Sequence, residues 1–246
     1  IAVVGFTELL RPTVSQSSTQ REHIDAIATS GAHLLDLIND LLDLAMIENR
    51  TLVVGYRPTA LFKLINGTVE MLRETATRKG LVLTLRMAED APPYVSTDPK
   101  RLRQVLLNVI GNAVKFTQTG EVTVHVDWVE MASTSSDTEG GQWALRIVVT
   151  DTGVGIPTQD LETVYKRFHR ASSEMPGTGL GLSICRQLVE LLGGEMKLTS
   201  TEGQGTVVTL DLPMSLASAL DAVDSTEEGD ATTTAVAPGS AVSGLP

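Results

Sequence analysis

The sequence predicts an α+β protein: a helical hairpin, then a domain of interleaved strands and helices. Three observations carry this. Between Thr19 and Ile47 the residues Ile24, Ile27, Leu34, Ile38, Leu41 and Ala45 recur at helical spacing, giving one apolar stripe. From Thr51 the texture changes, and EVTVHVDW (121–128) alternates apolar and polar residues as a half-buried strand does. Between such strands the helical period returns, most clearly in RQVLLNVIGNAVKFT (103–117).

Residues 1–11 read as the end of a helix stopped before Pro12, and PTVSQSST (12–19) as a loop. With the helix after it this makes an antiparallel hairpin, which cannot bury its stripe alone and is expected to pack against a second copy. LVVGYRP (52–58) suggests a strand, Leu61 to Thr77 a helix, and LVLTLRM (81–87) a strand. Asp98-Pro99 starts the next helix, a capping carboxylate followed by Pro at the first helical position. After the strand 121–128, MASTSSDTEGGQ (131–142) reads as a hairpin loop and WALRIVVTD (143–151) as its return strand. LETVYKRF (161–168) suggests a short helix, RASSEMPGTG (170–179) a loop, and LGLSICRQLVELLGG (180–194) a helix ended by glycines. EMKLTST (195–201) and GTVVTLDLP (205–213) close as a hairpin. The expected divisions are a partial hairpin over 1–50, a domain over 51–213, and a disordered linker of Ala, Ser, Thr and acids over 214–246.

The 246 residues, 42% of them hydrophobic, suffice for one good core with a helical appendage. A net charge of −11 with no basic stripe argues against a nucleic-acid partner. The single cysteine, Cys185, cannot form an internal disulfide; it fits a reducing compartment and reads as a packing residue. No apolar run approaches the roughly 18 residues of a membrane span. The first residue is Ile, so the chain reads as a piece of a longer one whose membrane anchor, if it has one, lies elsewhere.

The helix at 103–117 carries an anomaly. Leu102, Val105, Leu106, Val109, Ala113 and Phe116 form its apolar stripe, yet Asn108 and Asn112 stack beside it at about 100° per residue, with Lys115 and Arg101 on the same line and Gln104 next to it. Asn is a poor helix former, and a half-buried amide needs a partner. Two glycine clusters follow. DTGVGIP (151–157) ends a strand, where Gly153 and Gly155 let the backbone turn and approach a ligand, and Asp151 can accept from an exocyclic amine. PGTGLGLSI (176–184) opens a helix whose first N–H groups suit phosphate. It matches neither GxGxxG nor a Walker A loop.

The Asn-xxx-Asn helix, DxGxGI and GTGLGL, in that order, resemble the ATP-binding domain of sensor histidine kinases. The resemblance extends from Ile1 to about Pro213 and includes KGLVLTL, GTGLGLSICRQLVELLGGEM and the closing GQGT (203–206). It implies a two-layer sandwich, a mixed sheet with helices on one face, of the nucleotide fold shared by the GHKL superfamily. The hairpin is similar to the family's dimerisation and phosphotransfer hairpin.

The resemblance assigns roles. Asn112 becomes the Mg2+ ligand, Asn108 a hydrogen-bonding group at the phosphate end, and Lys115 a neutraliser of phosphate charge. Asp151 reads the adenine amine, with Gly153, Gly155 and Ile156 shaping the base pocket. Gly177, Thr178, Gly179, Leu180 and Gly181 carry the phosphates of ATP. Phe168 and Arg170 begin a short lid over 171–176, and Thr206 lies beneath the adenine. Asp98 reads as a helix cap and His169 as a surface residue.

Hydrolysing relatives of this fold carry a glutamate four residues before the magnesium asparagine. Here Asn108 stands there, and an amide cannot take the proton that a general base must take. The expected reaction is transfer to an imidazole, neutral and nucleophilic near pH 7. The family's acceptor histidine belongs to a box expected upstream of Ile1, so no residue of this chain is assigned as acceptor. His23 and His33 lack the box's context, and His125 lies in a strand. The implied partners are a homodimer mate through the hairpin and a response-regulator receiver domain, on the cytoplasmic side. The competing reading is a non-catalytic nucleotide-binding regulatory module without a phosphoacceptor. Damaged motifs would mark it, and the three segments are intact.

Overall fold

The computed structural model describes residues 18–131, 142–167 and 179–218. The predicted helix over 1–11, the tip of the 131–142 loop, and the linker beyond 218 lie outside the described residues. In chain order the elements are α1 (Ser18–Glu48), β1 (Arg57–Ala60), α2 (Leu61–Arg78), β2 (Val82–Met87), β3 (Tyr94–Thr97), α3 (Pro99–Phe116), β4 (Glu121–Met131), β5 (Gln142–Asp151), a 3-10 turn at Thr158–Asp160, α4 (Gly181–Leu191), β6 (Glu195–Thr201), β7 (Gly205–Pro213) and β8 (Ser215–Leu216).

The main sheet runs β2-β4-β5-β7-β6. The β2–β4 pair is parallel and the others antiparallel, so the sheet is mixed. Strand alternation fixes its two faces. Val122, Val124 and Val126 of β4, Leu145, Ile147 and Val149 of β5, and Val208, Leu210 and Leu212 of β7 turn inward and are buried. The stripes of α2 (Leu61, Leu64, Ile65, Val69), α3 (Leu102, Val105, Leu106, Val109, Ile110) and α4 (Ile184, Leu188, Val189) bury against them in one continuous core. The opposite face carries polar residues such as the Arg146–Asp211 pair, bonded at 2.6 Å. This is the two-layer α+β sandwich expected.

Asp98 caps α3 as predicted, its Oδ1 accepting from the Lys100 and Arg101 amides at 3.0 and 3.1 Å. The far end of α3 is held differently. Lys79 Nζ donates to the carbonyls of Val114, Lys115 and Thr117 at 2.6, 2.8 and 2.7 Å, so a cation satisfies the helix's C-terminal acceptors.

Three elements differ from expectation. In LVVGYRP only Arg57 and Pro58 are strand, because the Gly55 N–H is tied to Asp98 Oδ2 at 3.0 Å instead of to a ladder. β1 pairs with β3, and β3 with β8, in a small second sheet. The domain therefore runs past Pro213, through Leu216. The described part of LETVYKRF is turns, not a helix. Thr163 bonds back to the Asp160 carbonyl with both its amide and its hydroxyl, a local alternative to helical bonding.

α1 docks one end against α3 and α4. Leu44 joins the core and Asp43 is buried. Farther along, Ile27, Leu34, Ile38 and Leu41 remain exposed, at 50, 59, 47 and 46% of their full area. Among the described residues no helix is long and apolar enough to cross a membrane.

Candidate nucleotide site

The polar line on α3 splits in two. At its N-terminal end, Arg101 Nη1 bonds Asp43 Oδ1 at 2.9 Å and Gln104 Nε2 bonds Asp43 Oδ2 at 2.6 Å. These residues clasp α1. At the other end, Asn112 Nδ2 donates to Asn108 Oδ1 at 3.0 Å, one turn away. This bond orients both amides. Among the described residues nothing donates to Asn112 Oδ1, so that oxygen is available to a hard cation, while Asn108 keeps its amide hydrogens to donate. The two half-buried asparagines thus divide acceptor and donor roles. The ammonium of Lys115 lies 4.8 Å from the centre of the Phe116 ring.

The N-terminus of α4 meets the same amides. A Cβ on Gly181 would fall 2.5 Å from Asn108 Oδ1 and 2.6 Å from its Nδ2, so only glycine allows this approach. Among the described residues no side chain caps α4, and its first N–H groups suit an anion. Gly179 takes φ +69°, the left-handed region, and Leu180 is fully buried beneath the turn.

Asp151 ends β5 on the other side of the site. It is buried, and its Oδ1 accepts from the Gly153 amide at 2.8 Å and the Thr206 amide at 3.3 Å. No described group donates to Oδ2. Burial raises the carboxyl's pKa above its ordinary value, partly offset by those two amides. Gly155 has φ +66°, and a Cβ there would lie 2.1 Å from the Thr201 carbonyl. The loop is tied to α3 as well, since the Val154 amide donates to the Phe116 carbonyl at 3.3 Å.

Asn108, Asn112, Lys115, Asp151, Gly153, Gly155, Ile156, Gly179, Leu180, Gly181 and Thr206 thus lie on α3, the end of β5 and its loop, the start of α4, and β7. Phe168, Arg170, Gly177 and Thr178 lie outside the described residues, as does His169. His23 is exposed, and His125 pairs with Asp127 at 3.3 Å on β4. Cys185 is buried, which raises its thiol pKa, and it is a packing residue as expected. Sequence reasoning missed Ser200, whose hydroxyl accepts from the Ile156 amide at 2.8 Å, and the Lys79 clamp behind Lys115. A serine in an alternating strand carries no signal of its own.

A helix bearing paired amides, an uncapped helix N-terminus, and a buried carboxylate between glycine turns define a nucleotide-binding domain of the GHKL type. Residues 97–216 match the family model described as Histidine kinase-, DNA gyrase B-, and HSP90-like ATPase. Residues 2–50 match that of the His Kinase A (phospho-acceptor) domain. The chain is 34% identical over 218 residues to the signal transduction histidine-protein kinase BarA of Escherichia coli K12, covering 85% of this chain and 23% of BarA. It is 41% identical over 202 residues to the circadian input-output histidine kinase CikA of Synechococcus elongatus, covering 79% and 25%. The crystal structure of full-length ShkA in complex with AMPPNP superposes with a TM-score of 0.69 at 29% identity, covering 88% of this chain and 43% of ShkA. The chain belongs to the sensor histidine kinases of two-component signalling. It spans about a quarter of the length of BarA and CikA.

Proposed function

We propose that this chain binds Mg-ATP and transfers its γ-phosphoryl group to a histidine on a dimerisation hairpin, for relay to a response-regulator aspartate. The observation that carries this reading is the contact of Gly181 with the Asn108 amide. It puts the uncapped start of α4, suited to phosphate, beside the amide pair suited to a metal.

In this reading Asp151 Oδ2 accepts from the adenine amine, and the loop 153–156 walls the base. The α4 amides hold the phosphates. Asn112 Oδ1 holds the Mg2+ ion, which when bound neutralises phosphate charge. Asn108 donates to the phosphate oxygens. The imidazole nitrogen attacks the γ-phosphorus, the bond to the bridging oxygen breaks, ADP departs, and the imidazole loses its N–H proton. Positioning and charge neutralisation supply the catalysis. Asn108 offers water no base, which favours transfer over hydrolysis.

The acceptor histidine in this reading belongs to a hairpin of the phospho-acceptor type. The match of residues 2–50 to a phospho-acceptor domain supports a hairpin as its seat. The exposed stripe of α1 supports a second copy of the hairpin as its mate. The test uses ATP labelled at the γ-phosphate, Mg2+, this chain, and a hairpin with an intact histidine box added in trans. Acid-labile, base-stable label on the added hairpin is expected. Label on this chain alone would move the acceptor to His23 or His33, and failure to bind ATP would end the kinase reading.

A further inference from the structure

Ser200, at the end of β6, makes three short contacts at the floor of the site. Its Oγ accepts from the Ile156 amide at 2.8 Å and donates to the Gly205 carbonyl at 2.8 Å. It also lies 2.9 Å from Thr206 Oγ1, a contact in which either hydroxyl could donate. A serine hydroxyl has one hydrogen and two lone pairs. The hydrogen is spent on Gly205, so the proton between the two hydroxyls comes from Thr206.

Gly205 packs closely on β5: its φ is +113°, and a Cβ there would lie 2.0 Å from the Asp151 carbonyl. The Ile156 amide fills one lone pair of Ser200 and the Thr206 hydroxyl the other. Thr206 Oγ1 is thereby left with lone pairs alone to offer. Its backbone amide bonds Asp151 Oδ1 at 3.3 Å, which keeps the residue beside the carboxylate. Among the described residues the pocket floor then presents two acceptors, the Asp151 carboxylate and the Thr206 hydroxyl.

We infer that Ser200 is a positioning residue that sets base specificity, because it consumes the Thr206 proton and so denies the pocket a donor for a base carrying a carbonyl in place of the adenine amine. The inference rests on the base-pocket reading of Asp151 above. Adenine presents its amine hydrogens to this floor. Hypoxanthine has the same outline but a carbonyl at that position, and meets lone pairs facing lone pairs.

The test is calorimetric, with Mg-ADP and Mg-IDP as probes on the whole chain. Wild type is expected to favour ADP. Ser200→Ala frees the Thr206 hydroxyl to donate, and should cut the IDP-to-ADP ratio of dissociation constants about fivefold, the worth of one hydrogen bond. Ser200→Thr retains the hydroxyl and should restore the ratio. In a Thr206→Val background Ser200→Ala should leave the ratio unchanged. If Ser200→Ala does not fold, Ser200→Cys keeps the volume and weakens the bond. A ratio unchanged in the folded Ser200 variant, with both affinities falling equally, would reduce Ser200 to a structural role and overturn the inference. So would an equal change in the Thr206→Val background. Wild type binding neither nucleotide would instead overturn the base-pocket reading beneath it.

Discussion

Asp43 of α1 and Arg101 of α3 form a buried ion pair, Oδ1 to Nη1 2.9 Å, with side chains 12 and 10% exposed. Gln104 closes the triangle by bonding both partners. Removing one member of such a pair strands the other charge. Arg101→Met should therefore cost about 3 kcal/mol in urea unfolding. Asp43→Asn together with Arg101→Met should recover much of the loss. Nucleotide affinity should hold, since neither residue touches the amide pair. Unchanged unfolding free energy in the single variant would show that the clasp does not hold α1.

Asp151→Asn separates binding from stability. Asparagine keeps an oxygen for the Gly153 and Thr206 amides but presents an amide hydrogen where the adenine amine needs an acceptor. Nucleotide affinity should fall roughly tenfold to a hundredfold. The raised pKa of Asp151 means that protonation is favoured in the fold. Its contribution to stability is present below the ordinary value of 3.8 and lost as pH rises through the raised value. At neutral pH the buried charge is a cost, so the asparagine variant should melt no lower than wild type. Wild-type affinity should in turn weaken as pH falls through the raised pKa, and a flat profile from pH 7 to 4 would contradict it.

Gly181→Ala changes the first residue of α4, where alanine gains less than the ~1 kcal/mol of a helix interior and is tolerated by the helix itself. Its methyl would displace Asn108. The melting temperature should hold while Mg-ADP affinity drops roughly tenfold, a loss comparable to that of one charge-assisted hydrogen bond. Unaltered affinity would remove the Asn108 contact from the site.

Asn108→Glu supplies the missing base. If the residue faces the γ-phosphate, phosphate release from ATP should appear in a coupled assay where wild type shows little. A variant that binds ATP without releasing phosphate would place residue 108 away from the attacking water.

The sequence made the α3 line visible because helical period stacks Asn108 on Asn112, and the glycine clusters visible because φ above zero is glycine's province. The same period could not show that Arg101 and Gln104, though on that line, serve Asp43. Their partner sits 58 and 61 residues away in the chain. The small β1-β3-β8 sheet escaped for the same reason, its strands holding four, four and two residues. Strands so short show no alternation, and only tertiary pairing makes them. Ser200 was hidden because what matters is its three partners, two at the start of β7 and one in the loop after β5.

The helix with the paired amides is also the crossover between the two parallel strands, β2 and β4. The remaining pairings of the sheet are antiparallel, β4 with β5, β5 with β7, and β6 with β7. Pairings that close long loops form slowly, so β2–β4, which encloses α3, and β5–β7, which encloses the glycine loop and α4, are expected to follow the two hairpins. The two crossings that carry the ligand-site residues are therefore expected to be the later pairings of the fold. A refolding chain is then expected to acquire its two hairpin ladders before any ability to hold nucleotide, and pulsed hydrogen exchange should protect amides bonded within the β6–β7 hairpin ahead of those in Val82–Met87.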